Sequence, residues 1–228
     1  MTHNETRTEF NDPMLLTTAD ARQLLTGAPW RRFAVLGDSI AQGIGDPSPG
    51  YRTAGWADRV AAILSAANPG VAYRNTGRMG ATSAQVLAEQ LPAALEFRPD
   101  LVHLVCGGND LLTGGDMTLL RGNLDAMFAA LASTGAQLST FTLADVWEVE
   151  RMAPMRPMRD RMAEINDVIR AVAADYDAIL VEFWDHPLRL RPDLMSADLI
   201  HFTMSGHAVV ATEVVRALSG HLPAHTQR

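Results

Sequence analysis

Five short apolar runs, each followed by an amphipathic stretch, constrain this chain more than anything else in it. The runs are 33–37 (FAVLG), 71–75, 101–106 (LVHLVC), 138–143 and 178–182. Runs this short and this continuous suit strands buried on both faces, as in a parallel sheet. The stretches 56–66, 83–91, 118–133, 159–174 and 205–218 space their apolar residues as helices do, with Trp56, Val60, Ile63 and Leu64 on one face of the first. Strand and helix in alternation predict a five-stranded parallel sheet with helices on both faces. Right-handed crossovers leave few topologies, and ligands then sit beyond the carboxyl ends of the strands.

A chain of 228 residues suits one such domain, and no repeat, low-complexity tract or linker divides it. The expected organisation is an N-terminal extension over 1–30, one domain over 31–220 and a tail over 221–228. Within the extension, Thr17 or Thr18 caps a short helix through Leu25, which Gly27 and Pro29 end. The net charge of −7 argues against a nucleic-acid partner. The local exception, Arg151, Arg156, Arg159 and Arg161, reads as a solvated helix face ahead of an anion site. The lone cysteine, Cys106, excludes an internal disulfide. No apolar leader opens the chain and no run approaches the roughly 18 apolar residues of a membrane span, so a cytoplasmic location is expected. All 19 basic residues are arginine, as in GC-rich, bacterial coding. The histidines are scattered, with no HExxH and no cysteine pair, so neither a metal nor another cofactor is expected.

Four segments carry candidate chemistry. The first run ends in Gly37-Asp38-Ser39-Ile40, a serine where such sheets do chemistry. Taken alone, the tetrapeptide reads first as a helix cap at Ser39. The second run leads to Gly77, Gly80 and the Thr82-Ser83 pair, a loop whose backbone can approach a ligand closely. The third ends in Gly107-Gly108-Asn109-Asp110, an amide able to donate to developing negative charge or a simple tight turn. Near the end stands Asp198-Leu199-Ile200-His201. One backbone turn would let the acid accept from His201 Nδ1–H and leave Nε2 as a base, and a surface turn with a chance pair is the alternative.

In this order, and over about 33–218, the four segments resemble the SGNH hydrolases, also called GDSL esterases and lipases. The resemblance implies a flavodoxin-like three-layer α/β/α sandwich. It also implies that Ser39 is the nucleophile and that Asp198 and His201 are its acid and base partners. Ser39, Gly80 and Asn109 would form the oxyanion hole, with Gly77 as the second choice to Gly80. The first block reads Ile40 where leucine is usual, and Phe202 follows His201 where bacterial relatives often have proline. Neither departure removes a catalytic group. The implied activity is hydrolysis of a small-molecule ester with a small or short acyl group, through an acyl-enzyme. Transfer of that acyl group to an alcohol or amine is the alternative, and a non-catalytic binding module a further one.

Other residues attract less chemistry. His207 is expected on the helix surface or behind the site, and His103 and Cys106 within the core. Met152, Met155, Met158 and Met162 recur at helical spacing, yet Pro154 and Pro157 interrupt them. The segment is expected as an irregular loop. Met152, Met155 and Trp147 either wall the substrate pocket or fill the core, and the same choice stands for Trp184.

Overall fold

The computed structural model describes residues 7–222. Residues 1–6 of the expected extension and 223–228 of the expected tail lie outside the described residues. The apolar runs form β1 (Arg32–Gly37), β2 (Ala72–Asn75), β3 (Leu101–Val105), β4 (Gln137–Phe141) and β5 (Ile179–Val181). All pair in parallel, in the order β2-β1-β3-β4-β5. This is the flavodoxin-like order, which reverses direction between β1 and β3 and opens a crevice at their carboxyl ends.

The connections carry α1 (Thr18–Leu24), α2 (Ser39–Gln42), α3 (Trp56–Ala67), α4 (Ser83–Gln85), α5 (Leu91–Phe97), α6 (Gly108–Leu112), α7 (Met117–Ala132), α8 (Arg159–Asp175) and α9 (Met204–Gly220). Side chains alternate across a strand, so each run serves two cores. Phe33, Val35, Phe141 and Val181 pack with α1, α3 and α9, and Ala34, Leu36, Val102 and Leu138 with α5, α7 and α8. Residues before β1 share the first core: Ala21, Leu25, Ala28 and Trp30 are buried there. Thr17 caps α1 by accepting from Asp20 N. Farther out, Asp12 is buried against Arg191 Nη1 and the Tyr51 hydroxyl, each at 2.7 Å.

The stretch 83–91, expected as one helix, is α4, a π-helical turn over Val86–Gln90, and α5. Pro92 lacks the N–H that a continuous helix would use, and a wider turn absorbs the missing bond. That turn aims Gln90 at the end of β1, where its side chain accepts from Gly37 N at 2.9 Å and donates to Gly37 O at 2.8 Å.

Candidate active site

Gly37 lets β1 and β3 close up beneath the crevice. Its φ is +146°, and a Cβ there would stand 1.8 Å from Val105 O. Just beyond, Asp38 caps α2 by accepting from Ile40 N at 2.9 Å. The cap expected at Ser39 therefore belongs to Asp38, because the chain is already helical at Ser39. Ser39 is left at the crevice, 6% exposed.

Asn109 enters the same crevice from β3, in the first turn of α6. Its Nδ2 donates to Ala81 O at 3.0 Å, and an amide nitrogen has a second N–H for another acceptor. The neighbouring Asp110 accepts from Ser83 N and Ser83 Oγ at 2.8 and 2.5 Å. These bonds tie α6 to the turn that carries Gly80. Gly80 is exposed with φ +78°, and a Cβ on it would meet nothing within 4 Å. Gly77 is needed for packing instead: its Cβ would lie 2.5 Å from Gln42 N.

His201 Nδ1 and Asp198 Oδ2 lie 2.6 Å apart, and Asp198 Oδ1 accepts from the N–H groups of Ile200 and His201. Burial works to raise the Asp198 pKa, but these hydrogen bonds outweigh it and hold the carboxyl below its ordinary range. The tight turn puts Leu199 at φ +63°, a left-handed conformation costly for a branched side chain. Neighbours hold the loop. Ser196 N donates to His201 O, Ala197 N to Asp46 Oδ2, and Arg151 donates to the carbonyls of Met195 and Ser196 at 2.9 and 3.0 Å. Among the described residues, the hydrogen bonds of the His201 ring run only to Asp198. Bonds to a nucleophile are often long before substrate binds.

The Asp38 carboxyl, buried beside Ser39, is pushed up to about 7. Burial is the main cause and the Asp110 charge adds to it. The Ile40 N–H and the His201 charge oppose it.

An apolar cavity of about 100 Å³ opens at this point. Ser39 and Asn109 stand in its wall with Leu199, Ile200 and Phe202 of the His201 loop. Gly80 and His201 lie outside that lining. Trp147, Met152, Met155, Met158 and Met162 form much of the rest. Pocket wall and core turn out not to be alternatives: Met152 and Trp147 are 2% and 5% exposed and belong to the α1/α3/α9 core while lining the cavity. Trp184 does not line it. The segment Glu150–Met158 is not the irregular loop expected but a run of 3₁₀ turns across both prolines. Proline's fixed φ near −65° fits 3₁₀ geometry.

His207 is fully buried, off the helix surface. Its Nε2 lies 3.0 Å from Ile44 O, its Nδ1 accepts from Trp56 N, and burial pushes its pKa down to about 4. His103 sits in the core between Trp56 and Phe141, with a pKa lowered to about 3 by burial. Burial raises the Cys106 thiol well above its ordinary range. The arginines expected as a solvated face are exposed, Arg161 partly, and are also engaged by their own chain. Arg151, Arg156 and Arg161 donate to backbone carbonyls and Arg159 pairs with Asp145. Sequence reading also missed Asp46 and Gln90, because their partners lie far along the chain.

Comparison with known proteins bears on the family and the fold. A model of the GDSL-like lipase/acylhydrolase family matches residues 35–209. Esterase TesA of Pseudomonas aeruginosa is 33% identical over 195 residues, covering 82% of this chain and 88% of that protein. A crystal structure of TesA superposes with a TM-score of 0.68 at 27% identity, covering 84% of this chain and 99% of that one. A lipase/acylhydrolase from Enterococcus faecalis gives 0.67 at 25%, covering 85% and 97%. Among the described residues, no helix is long and apolar enough to cross a membrane.

Proposed function

The chain belongs to the GDSL-like lipase/acylhydrolase family and is a carboxylic ester hydrolase, and from that premise we propose that it works through an acyl-enzyme on Ser39. Ser39 Oγ attacks the ester carbonyl carbon while His201 Nε2 takes its proton. The bond to the alcohol then breaks as His201 returns that proton to the leaving oxygen. Water attacks the acyl-enzyme in turn, His201 accepts its proton, and the carboxylic acid leaves as the proton goes back to Ser39 Oγ. Asp198 fixes the tautomer and stabilises the imidazolium. The N–H groups of Ser39 and Gly80 and the free N–H of Asn109 hold the oxyanion.

One observation carries this reading: Ser39 and Asn109 line a single cavity together with the loop that bonds Asp198 to His201. The cavity also supports a short acyl group. An apolar space of about 150 Å³ accepts benzene, so about 100 Å³ suits an unbranched acyl chain of roughly four carbons.

A fluorophosphonate tests the nucleophile. It should label the wild type at Ser39, and Ser39→Ala should neither be labelled nor hydrolyse esters. His201→Ala should be nearly as damaging, and adding Asp198→Ala should cost little more, because such residues act as a unit. Labelling elsewhere, or a Ser39→Ala enzyme keeping more than about a tenth of kcat, would refute the assignment.

A further inference from the structure

Most of the cavity wall consists of methionine, leucine, valine and phenylalanine side chains, which neither donate nor strongly accept. Trp147 differs. It is buried in the same wall, and its Nε1–H has no hydrogen-bond partner among the described residues. The residue is otherwise held: it lies in the 3₁₀ turn Val146–Glu148, and its carbonyl accepts from Arg156 Nε at 3.2 Å. Buried N–H groups are nearly always paired, because a donor removed from water without an acceptor is costly. If the site served only alkyl chains, side chains without a polar atom could build this wall without that cost.

We propose that the acyl group of the substrate carries an acceptor oxygen (ether, keto or hydroxyl) that pairs with Trp147 Nε1–H. This rests on the acyl-enzyme reading above. The acyl half is the one concerned, because it stays on Ser39 through both steps while the alcohol departs after the first. A cavity beside Ser39 with a fixed donor serves the half that stays. The indole nitrogen is closed to water, so the oxygen reaches it as the methionine side chains of the wall give way. Methionine is unbranched and adaptable, so that rearrangement is cheap. The substrate class is therefore a short oxygenated acyl ester rather than a plain fatty ester.

The test uses two pairs of 4-nitrophenyl esters that differ by one CH2 replaced with oxygen: butanoate against methoxyacetate, and pentanoate against 3-methoxypropanoate. The kcat/KM ratio of ether to alkyl ester is measured for the wild type and for Trp147→Phe. Intrinsic reactivity differences cancel, since both enzymes meet the same two esters. In at least one pair the ratio should fall about tenfold in the variant, the loss expected for a buried acceptor left without its donor. Ratios within about twofold of wild type in both pairs would overturn the proposal while leaving ester hydrolysis itself intact. A wild type inert toward all four esters, and unlabelled by fluorophosphonate, would instead overturn the acyl-enzyme reading and this inference with it. If Trp147→Phe does not fold, the wild type alone decides. The Trp147 indole proton resonance should lie farther downfield in the 2-methoxyethylphosphonyl-enzyme than in the butylphosphonyl-enzyme. Coincident resonances would overturn the proposal.

Discussion

Replacing Asp38 with asparagine removes a buried ionisable group yet keeps a carbonyl oxygen for the Ile40 N–H. The exchange therefore isolates the charge. In the folded chain burial, reinforced by Asp110, raises this carboxyl from the ordinary 3.8 to about 7. The folded state thus keeps a proton that the unfolded chain has already released. The resulting stability is fully present below about 3.8, is lost as pH rises to about 7, and changes no further above that. From pH 5 to pH 8 the loss spans about two pH units of linkage, or about 3 kcal/mol at 1.36 kcal/mol per unit. The wild type bears this loss and Asp38→Asn does not. In a chain of this size 1 kcal/mol moves Tm by roughly 2–4 °C. The variant should therefore gain about 6–12 °C on the wild type between pH 5 and pH 8. Scanning calorimetry of both proteins at several pH values reads this directly, and groups that titrate alike in both cancel in the difference. Parallel Tm curves, or a variant that loses ground as pH rises, would refute the burial argument.

Asn109→Ala should lower kcat by roughly two to three orders of magnitude with little change in KM, as loss of an oxyanion donor does. A change confined to KM in steady-state kinetics would make Asn109 a ground-state binding group instead. Met152→Ala should cost about 2–5 kcal/mol in denaturant unfolding and also shift the acyl-length ranking toward longer chains, because the same side chain fills the core and walls the cavity. Met155→Ala, only partly buried, should shift the ranking with a smaller stability loss. An unchanged ranking in both variants, over a series of chromogenic esters, would remove the segment from the site.

Local patterns made the sheet legible. Each apolar run became a strand with ends displaced by no more than two residues, because a continuous run stopped by glycine has few other ways to be buried. The blocks at 37–40 and 107–110 were legible because strand end, turn and side chain are contiguous, and 198–201 because its acid and histidine lie within one backbone turn. What holds those blocks was not legible. Gln90 reaches Gly37 across 53 positions, Asp46 reaches Ala197 across 151, and Arg151 reaches Ser196 across 45. Gln90 and Asp46 stand in no chemical pattern and Arg151 only in a run of charge; each matters through a partner that the fold brings near. His207 was underrated likewise, since a helical position says nothing about the Ile44 carbonyl that occupies its ring nitrogen.

The methionine segment shows why periodicity could not separate wall from core. A side chain in a shallow apolar cavity has protein behind it and ligand space in front, so both readings demand the same apolar residues at the same spacing. What distinguishes the two is polarity left unpaired at the surface of the space. A donor without an acceptor in the wall of a cavity, as at Trp147 Nε1–H, can be taken up by a ligand, whereas one away from the cavity, as at Arg191 Nε–H, cannot. Trp147 meets that condition through its orphan N–H, and the methionines, with no donor to leave unpaired, cannot. Arg151 then joins this wall to the carbonyls just before Asp198. Wall and catalytic loop are thereby fixed to one another, so a substitution that shifts the wall should also disturb His201.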